Sequence, residues 1–178
     1  MYEVELKVPA HLEAVRARLE ERDAAFRGRV VQEDTYYDAP HRSFPETDEA
    51  LRVRRESADG GDESRLTYKG PLVETESKTR TEIETAIESG EAVDAILTSL
   101  GFEPAATVRK ERERVRVREY TVTLDRVEGV GEFVEVETEA EEGEIEPARE
   151  GAVAVLDELG LDADDQIRTS YLELLLEE

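Results

Sequence analysis

Apolar and polar residues alternate with a period of two through much of this chain, the spacing of a strand whose successive side chains point to opposite faces. In the opening EVELK, residues 3 to 7, Glu3, Glu5 and Lys7 share one face while Val4, Leu6 and Val8 share the other. The same alternation predicts strands in GRVVQEDTYYD (28–38), ALRVRRE, SRLTYKG and SKTRTEIETAI, split by turn-rich SADGGDE and GPLVETE. Residues 103–127 read as one long charged strand or a pair, and GEFVEVETE follows from Gly131 after a turn around Gly129. Helical spacing appears in 11–25, where Leu12, Val15 and Leu19 fall on one face, in EAVDAILTSLG (91–101) and in REGAVAVLDELG, the last two stopping at Gly101 and Gly160. DDQIRTSYLELLLEE predicts a fourth such helix, and PHRSFPETDE, with two prolines, a loop.

Strands outnumbering helices over 178 residues, with 38% hydrophobic content, point to one α+β domain spanning 1–178. There is no Cys, which excludes a disulfide framework and a thiolate metal site. No basic-then-apolar leader and no long apolar run appear, so the expectation is a cytoplasmic protein with no membrane span. Acids outnumber bases 46 to 23, for a formal net charge of -23, spread along the chain. That balance excludes duplex nucleic acid as a partner, since phosphate binding needs an exposed basic footprint. It fits a halophilic, salt-rich cytosol in which self-repulsion is screened. Of the cations only Lys7, Lys69, Lys78 and Lys110 are lysines.

The polar faces of the strands carry the chemistry. Arg52 and Arg54 share a face, as do Arg65, Thr67 and Lys69; Lys78, Arg80, Glu82 and Glu84; Lys110, Arg112, Arg114, Arg116 and Arg118; and Glu135 with Glu137. Signs look segregated by strand, carboxylates on the first and last and cations between, and like charges opposite one another destabilise a sheet. An antiparallel closed β-barrel of about eight strands with flanking helices would turn these faces inward and let a polyanion with a divalent metal neutralise them.

The ordered series Glu3–Glu5–Lys7, DTYYD, LRVRR, TYKG, TRTEIE, VRKERERV, LDRVEGVGEFVEVE and the terminal SYLELLL resembles the CYTH domain, the triphosphate tunnel metalloenzymes, and is closest to class IV adenylate cyclase-like members. The resemblance implies that Glu3, Glu5, Asp125, Glu135 and Glu137 hold Mg²⁺ or Mn²⁺, hard cations that favour carboxylate oxygens. It implies that Lys7, Arg52, Arg54, Lys69, Arg80, Lys110 and Arg112 bind the triphosphate, with Lys7, Arg54 and Lys69 acting in catalysis. The substrate it implies is a nucleoside triphosphate or inorganic triphosphate, cyclised as ATP to cyclic AMP and pyrophosphate, hydrolysed, or, in a non-catalytic binder, merely held. Oligomeric state stays open, a homodimer among the options.

Other residues have simpler readings. Arg114, Arg116 and Arg118 pair with outer acids as readily as they face a lumen, and Lys78 and Glu82 depend on register. His11 and His41 read as exposed bystanders. Tyr171 reads as a packing residue that closes one tunnel mouth, with Arg168 one turn before it aimed inward.

Overall fold

A computed structural model describes residues 1–177. Eight strands run β1 Tyr2–Pro9, β2 Ala25–Asp38, β3 Ala50–Ala58, β4 Gly61–Lys69, β5 Lys78–Ile87, β6 Glu103–Val117, β7 Tyr120–Val127 and β8 Gly131–Ala140. They close into an antiparallel barrel in the order β1-β5-β4-β3-β2-β6-β7-β8. Closure leaves no sheet edge unpaired. The helices are α1 Leu12–Glu20, α2 Phe44–Thr47, α3 Gly90–Ser99, α4 Ile145–Glu158 and α5 Tyr171–Leu176. None is long and apolar enough to cross a membrane.

The apolar core lies outside the barrel wall. Leu6 and Val8 of β1, Val122 and Leu124 of β7, and Val134 and Val136 of β8 pack under Leu12, Val15 and Leu19 of α1 and Ala152, Val155 and Leu156 of α4. Each such side chain contributes about 1.5–3 kcal/mol by leaving water. On β1, β7 and β8 one face therefore has an apolar partner outside, and the charged face has only the lumen left to it.

Four local expectations need correction. The segment 164–178, whose last residue lies outside the described ones, is not one helix: after a single 3-10 turn at Ala163–Asp165 it has no helix until Tyr171. Its polar groups there bond to the barrel rim instead of to each other, with Ile167 N–H donating to the Lys7 carbonyl (2.7 Å) and Gln166 Nε2 to the Glu76 carbonyl (2.8 Å). Helix α5 starts only where the Ser170 hydroxyl caps it by accepting from Glu173 N–H. The first helix ends at Glu20, not 25, because Ala25 already pairs with Arg116 of β6. Gly28, at φ 107°, forms a bulge inside β2 and not its first residue. Phe44–Thr47, read as loop, makes one helical turn with Pro45 in its first positions.

Candidate functional site: a charged lumen

Register decides which charges meet. Glu5 stands opposite Glu137 and Lys7 opposite Glu135 across the β1–β8 ladder. One carboxylate oxygen each from Glu3, Glu5 and Glu137 lie within 4.8 Å of one another. Such crowding of like charges is relieved by a proton or by a cation. Burial, compounded by Glu3, Glu5 and Glu135, pushes the Glu137 carboxyl well above its usual range. Glu3 is also raised, by burial first, against the pull of Lys69. Burial raises Glu5 too, but Lys78, Lys69 and Lys7 outweigh it and bring it below the ordinary value. Glu5 Oε2 is buried without a hydrogen bond, although Lys78 Nζ is 3.2 Å away. Hard oxygen donors, an unsatisfied carboxylate oxygen and mutual repulsion fit Mg²⁺ or Mn²⁺.

Glu135 and Asp125, from the same nominated set, are not brought into that trio. Arg112 forks onto Asp125 with two bonds of 2.6 Å and reaches Glu135 at 2.7 Å. They form a second acidic group beside the first, bridged by a guanidinium.

The nominated cations line the rest of the lumen. Arg54 binds Asp34 through two bonds of 2.7 and 2.8 Å, and Lys110 Nζ reaches the same carboxylate at 2.9 Å. Burial would raise Asp34, but Lys110 and Arg54 hold it well below the usual carboxylate range. Burial, aided by the charge of Arg54, brings Lys110 down to about 7. Lys7 falls to about 7 for the same first reason, with Lys78 adding to it. Lys69 lies 3.4 Å from Glu3 and 3.5 Å from Glu82. Arg52 is buried with Glu84 at 3.6 Å, its Nε unpaired among the described residues. Arg80 sits at the rim, donating to the Gly70 carbonyl at 2.7 Å.

The expected segregation of signs is therefore only partial. Asp34 on β2, Glu56 on β3, Glu82 and Glu84 on β5 and Asp125 on β7 supply carboxylates to the strands read as cationic. Asp34 stands in the quoted DTYYD yet was nominated for nothing, although its place on the inward parity of β2 was a usable signal. Lys78 faces the lumen beside Glu5. Arg114 meets Glu56 at the lumen wall, Arg116 reaches the Thr121 hydroxyl, and Arg118 leaves the strand at a positive φ of 54° to pair with Glu158 outside. Arg168 is taken up by the 70–77 loop, donating to the Glu74 and Ser77 carbonyls. His11 and His41 are exposed.

One end of the barrel is plugged. Tyr171 packs on Phe133, with ring centroids 5.2 Å apart, alongside Val108 and Val127. Its hydroxyl donates to Asp125 at 2.7 Å, and Lys7 Nζ lies 4.1 Å from the ring centroid. Lys7 also donates to the Thr169 carbonyl at 2.5 Å. The C-terminal segment thus holds Lys7 in place as well as covering it.

The model of the CYTH domain matches residues 1–171. A Methanocaldococcus jannaschii protein, whose name offers it provisionally as an adenylate cyclase, is 39% identical over 176 residues, 98% of each chain. A solved structure of a Pyrococcus horikoshii protein is 43% identical with a TM-score of 0.92, covering 98% of both chains. A Hippeastrum protein described as having a dominant triphosphatase activity shares the fold at 18% identity and a TM-score of 0.70, covering 99% of this chain and 95% of that one.

Proposed function

We propose, from the premise that this chain belongs to the CYTH domain family, that it is a metal-dependent enzyme acting on a nucleoside triphosphate in its lumen, of the class IV adenylate cyclase type. Enzymes of the family depend on metal and bind triphosphates. The observation that carries the reading is the division of the lumen, with the Glu3–Glu5–Glu137 trio on one wall and the Arg54–Lys110–Asp34 group on another. The 39% identical relative, by its name, favours cyclisation.

A divalent cation bound by the carboxylate trio supplies charge neutralisation and alignment of phosphate oxygens. Lys7, Arg52, Arg54, Lys69, Lys110 and Arg112 meet the phosphate oxygens, arginines by paired forks and lysines as point charges. In cyclisation the ribose 3′ oxygen bonds to the α-phosphorus as the bond from that phosphorus to the α,β-bridging oxygen breaks. Pyrophosphate departs, and the hydroxyl proton is released to water. Held in line by the cationic walls, the reaction gains from positioning and from charges already in place, with no covalent enzyme intermediate.

The second reading is hydrolysis of a short triphosphate. It is favoured by the Tyr171–Phe133 packing, which sets an apolar contact across one end of the lumen. Chromatography of products from ATP and Mn²⁺ at high salt separates the two. Cyclic AMP with pyrophosphate is expected; ADP and phosphate without cyclic AMP moves the assignment to triphosphatase, and no turnover of any triphosphate defeats the enzyme reading.

A further inference from the structure

One lumen side chain is not absorbed by the charge pairing. In the ring of strands β2 stands four places from β1 in either direction, so its inward face lies across the lumen from Glu3 and Glu5. Gln32 occupies that face two residues before Asp34, in register with Glu56 of β3 and Lys110 of β6. It is 0% exposed.

Its amide orientation follows from its neighbour. Gln32 Nε2 donates to Glu56 Oε2 at 3.1 Å, and Arg114 holds the same carboxylate with bonds of 2.8 and 3.1 Å. Burial would raise Glu56, but Arg114 outweighs it and holds the carboxyl at about 2. An ionised carboxylate only accepts, so the amide must turn its nitrogen toward it. Gln32 Oε1 is thereby left as a buried acceptor that no donor of the described residues reaches. Lys110 and Arg54, the nearby cations of that wall, bond to Asp34 and neither reaches Gln32 Oε1. A buried acceptor left unmet destabilises the fold, a penalty that a ligand donor removes.

Inorganic triphosphate, when fully ionised, offers acceptors only and cannot meet this group. A sugar hydroxyl or an exocyclic amine can. We infer that Gln32 is a substrate-contacting, specificity-determining residue, accepting a hydrogen bond from a hydroxyl or amino group on the organic part of a nucleoside triphosphate. The inference rests on the proposed function and adds to it the side chain that tells a nucleoside triphosphate from the inorganic one. The Glu56–Arg114 pair, with side chains 13% and 33% exposed, covers Gln32 on the solvent side and is the pair that must shift to admit the organic group.

The test is calorimetric binding, with Mn²⁺ present, of a non-hydrolysable ATP analogue and of inorganic triphosphate to the wild type and to Gln32→Leu. Gln32→Met is read in the same way if the leucine variant fails to melt cooperatively. The expected result is at least a tenfold loss for the ATP analogue, with inorganic triphosphate within twofold of wild type. Equal losses for both ligands assign Gln32 a structural role and overturn the inference, as does no change for either. If the wild type binds neither ligand, the functional reading itself has failed and the inference falls with it; wild-type binding that the variant leaves undiscriminating sinks only the role of Gln32.

Discussion

Replacing Glu137 by Gln removes one charge from the most crowded part of the lumen while preserving shape. Its oxygen lies within 4.8 Å of those of Glu3 and Glu5. Two unit charges at that separation repel by at least about 3 kcal/mol at an effective dielectric of ~20. The carboxyl answers by binding a proton more tightly, being raised well above its usual value by burial and by its neighbours' charges. A folded-state pKa above the unfolded one gives stability that is full below the unfolded value and is lost as pH rises through the folded value. The metal-free wild type should therefore lose stability with pH above the ordinary glutamate range. Glu137→Gln should flatten that slope and melt at the same or a higher temperature than wild type at pH 8. Mn²⁺ reverses the comparison. At a hundredfold excess over its dissociation constant it stabilises a wild-type site by about 2.7 kcal/mol, or roughly 5–10 °C for a chain of this length. The variant should show little of that shift. Thermal melts with and without Mn²⁺ at several pH values provide the check, and a variant that melts like wild type and keeps the full Mn²⁺ shift would refute the trio as a metal site.

Arg54→Ala should weaken triphosphate binding by about 1–3 kcal/mol, the range for a lost charged hydrogen bond, whereas Arg16→Ala, on α1 and paired with Glu20 and Glu113 outside the barrel, should leave affinity unchanged; equal effects in a calorimeter would defeat the lumen model. Because Lys110 is brought down to about 7 by burial and Arg54, its positive charge is lost as pH rises, so triphosphate affinity should decline from pH 7 to 9. Lys110→Arg should make that decline shallower, and an unchanged pH profile would remove Lys110 from the binding wall.

The barrel was legible because alternation in β1, β4 and β8 is clear, and a one-residue slip would have turned every charge outward. Glu3, Glu5 and Lys7 could be put on one face from spacing alone. Their partners could not, since a parity rule says which face Asp34 occupies but not that its carboxylate stands between Arg54 and Lys110. That depends on which strands are neighbours, and β2 sits between β3 and β6, with β6 far along the chain. The run from Lys110 to Arg118 leaves its last members open for a related reason. Its even positions do share a face, but the strand ends at Val117, and the turn sends Arg118 to Glu158. The C-terminal segment looked helical because its leucines are; the tie of Ile167 to Lys7 leaves no trace in local spacing.

The pairing of acids and bases inside the barrel has a consequence for how a substrate arrives. Since the lumen charges largely cancel, the formal net charge of -23 sits almost wholly on the outer surface. A triphosphate must diffuse through a field of its own sign before meeting a cation. Its association rate should then climb as salt shortens the Debye length from about 10 Å at 0.1 M to about 3 Å at 1 M, the reverse of ordinary electrostatic steering. For this barrel, salt acts on the frequency of productive encounters, and a concentrated electrolyte opens the approach that the bare surface obstructs.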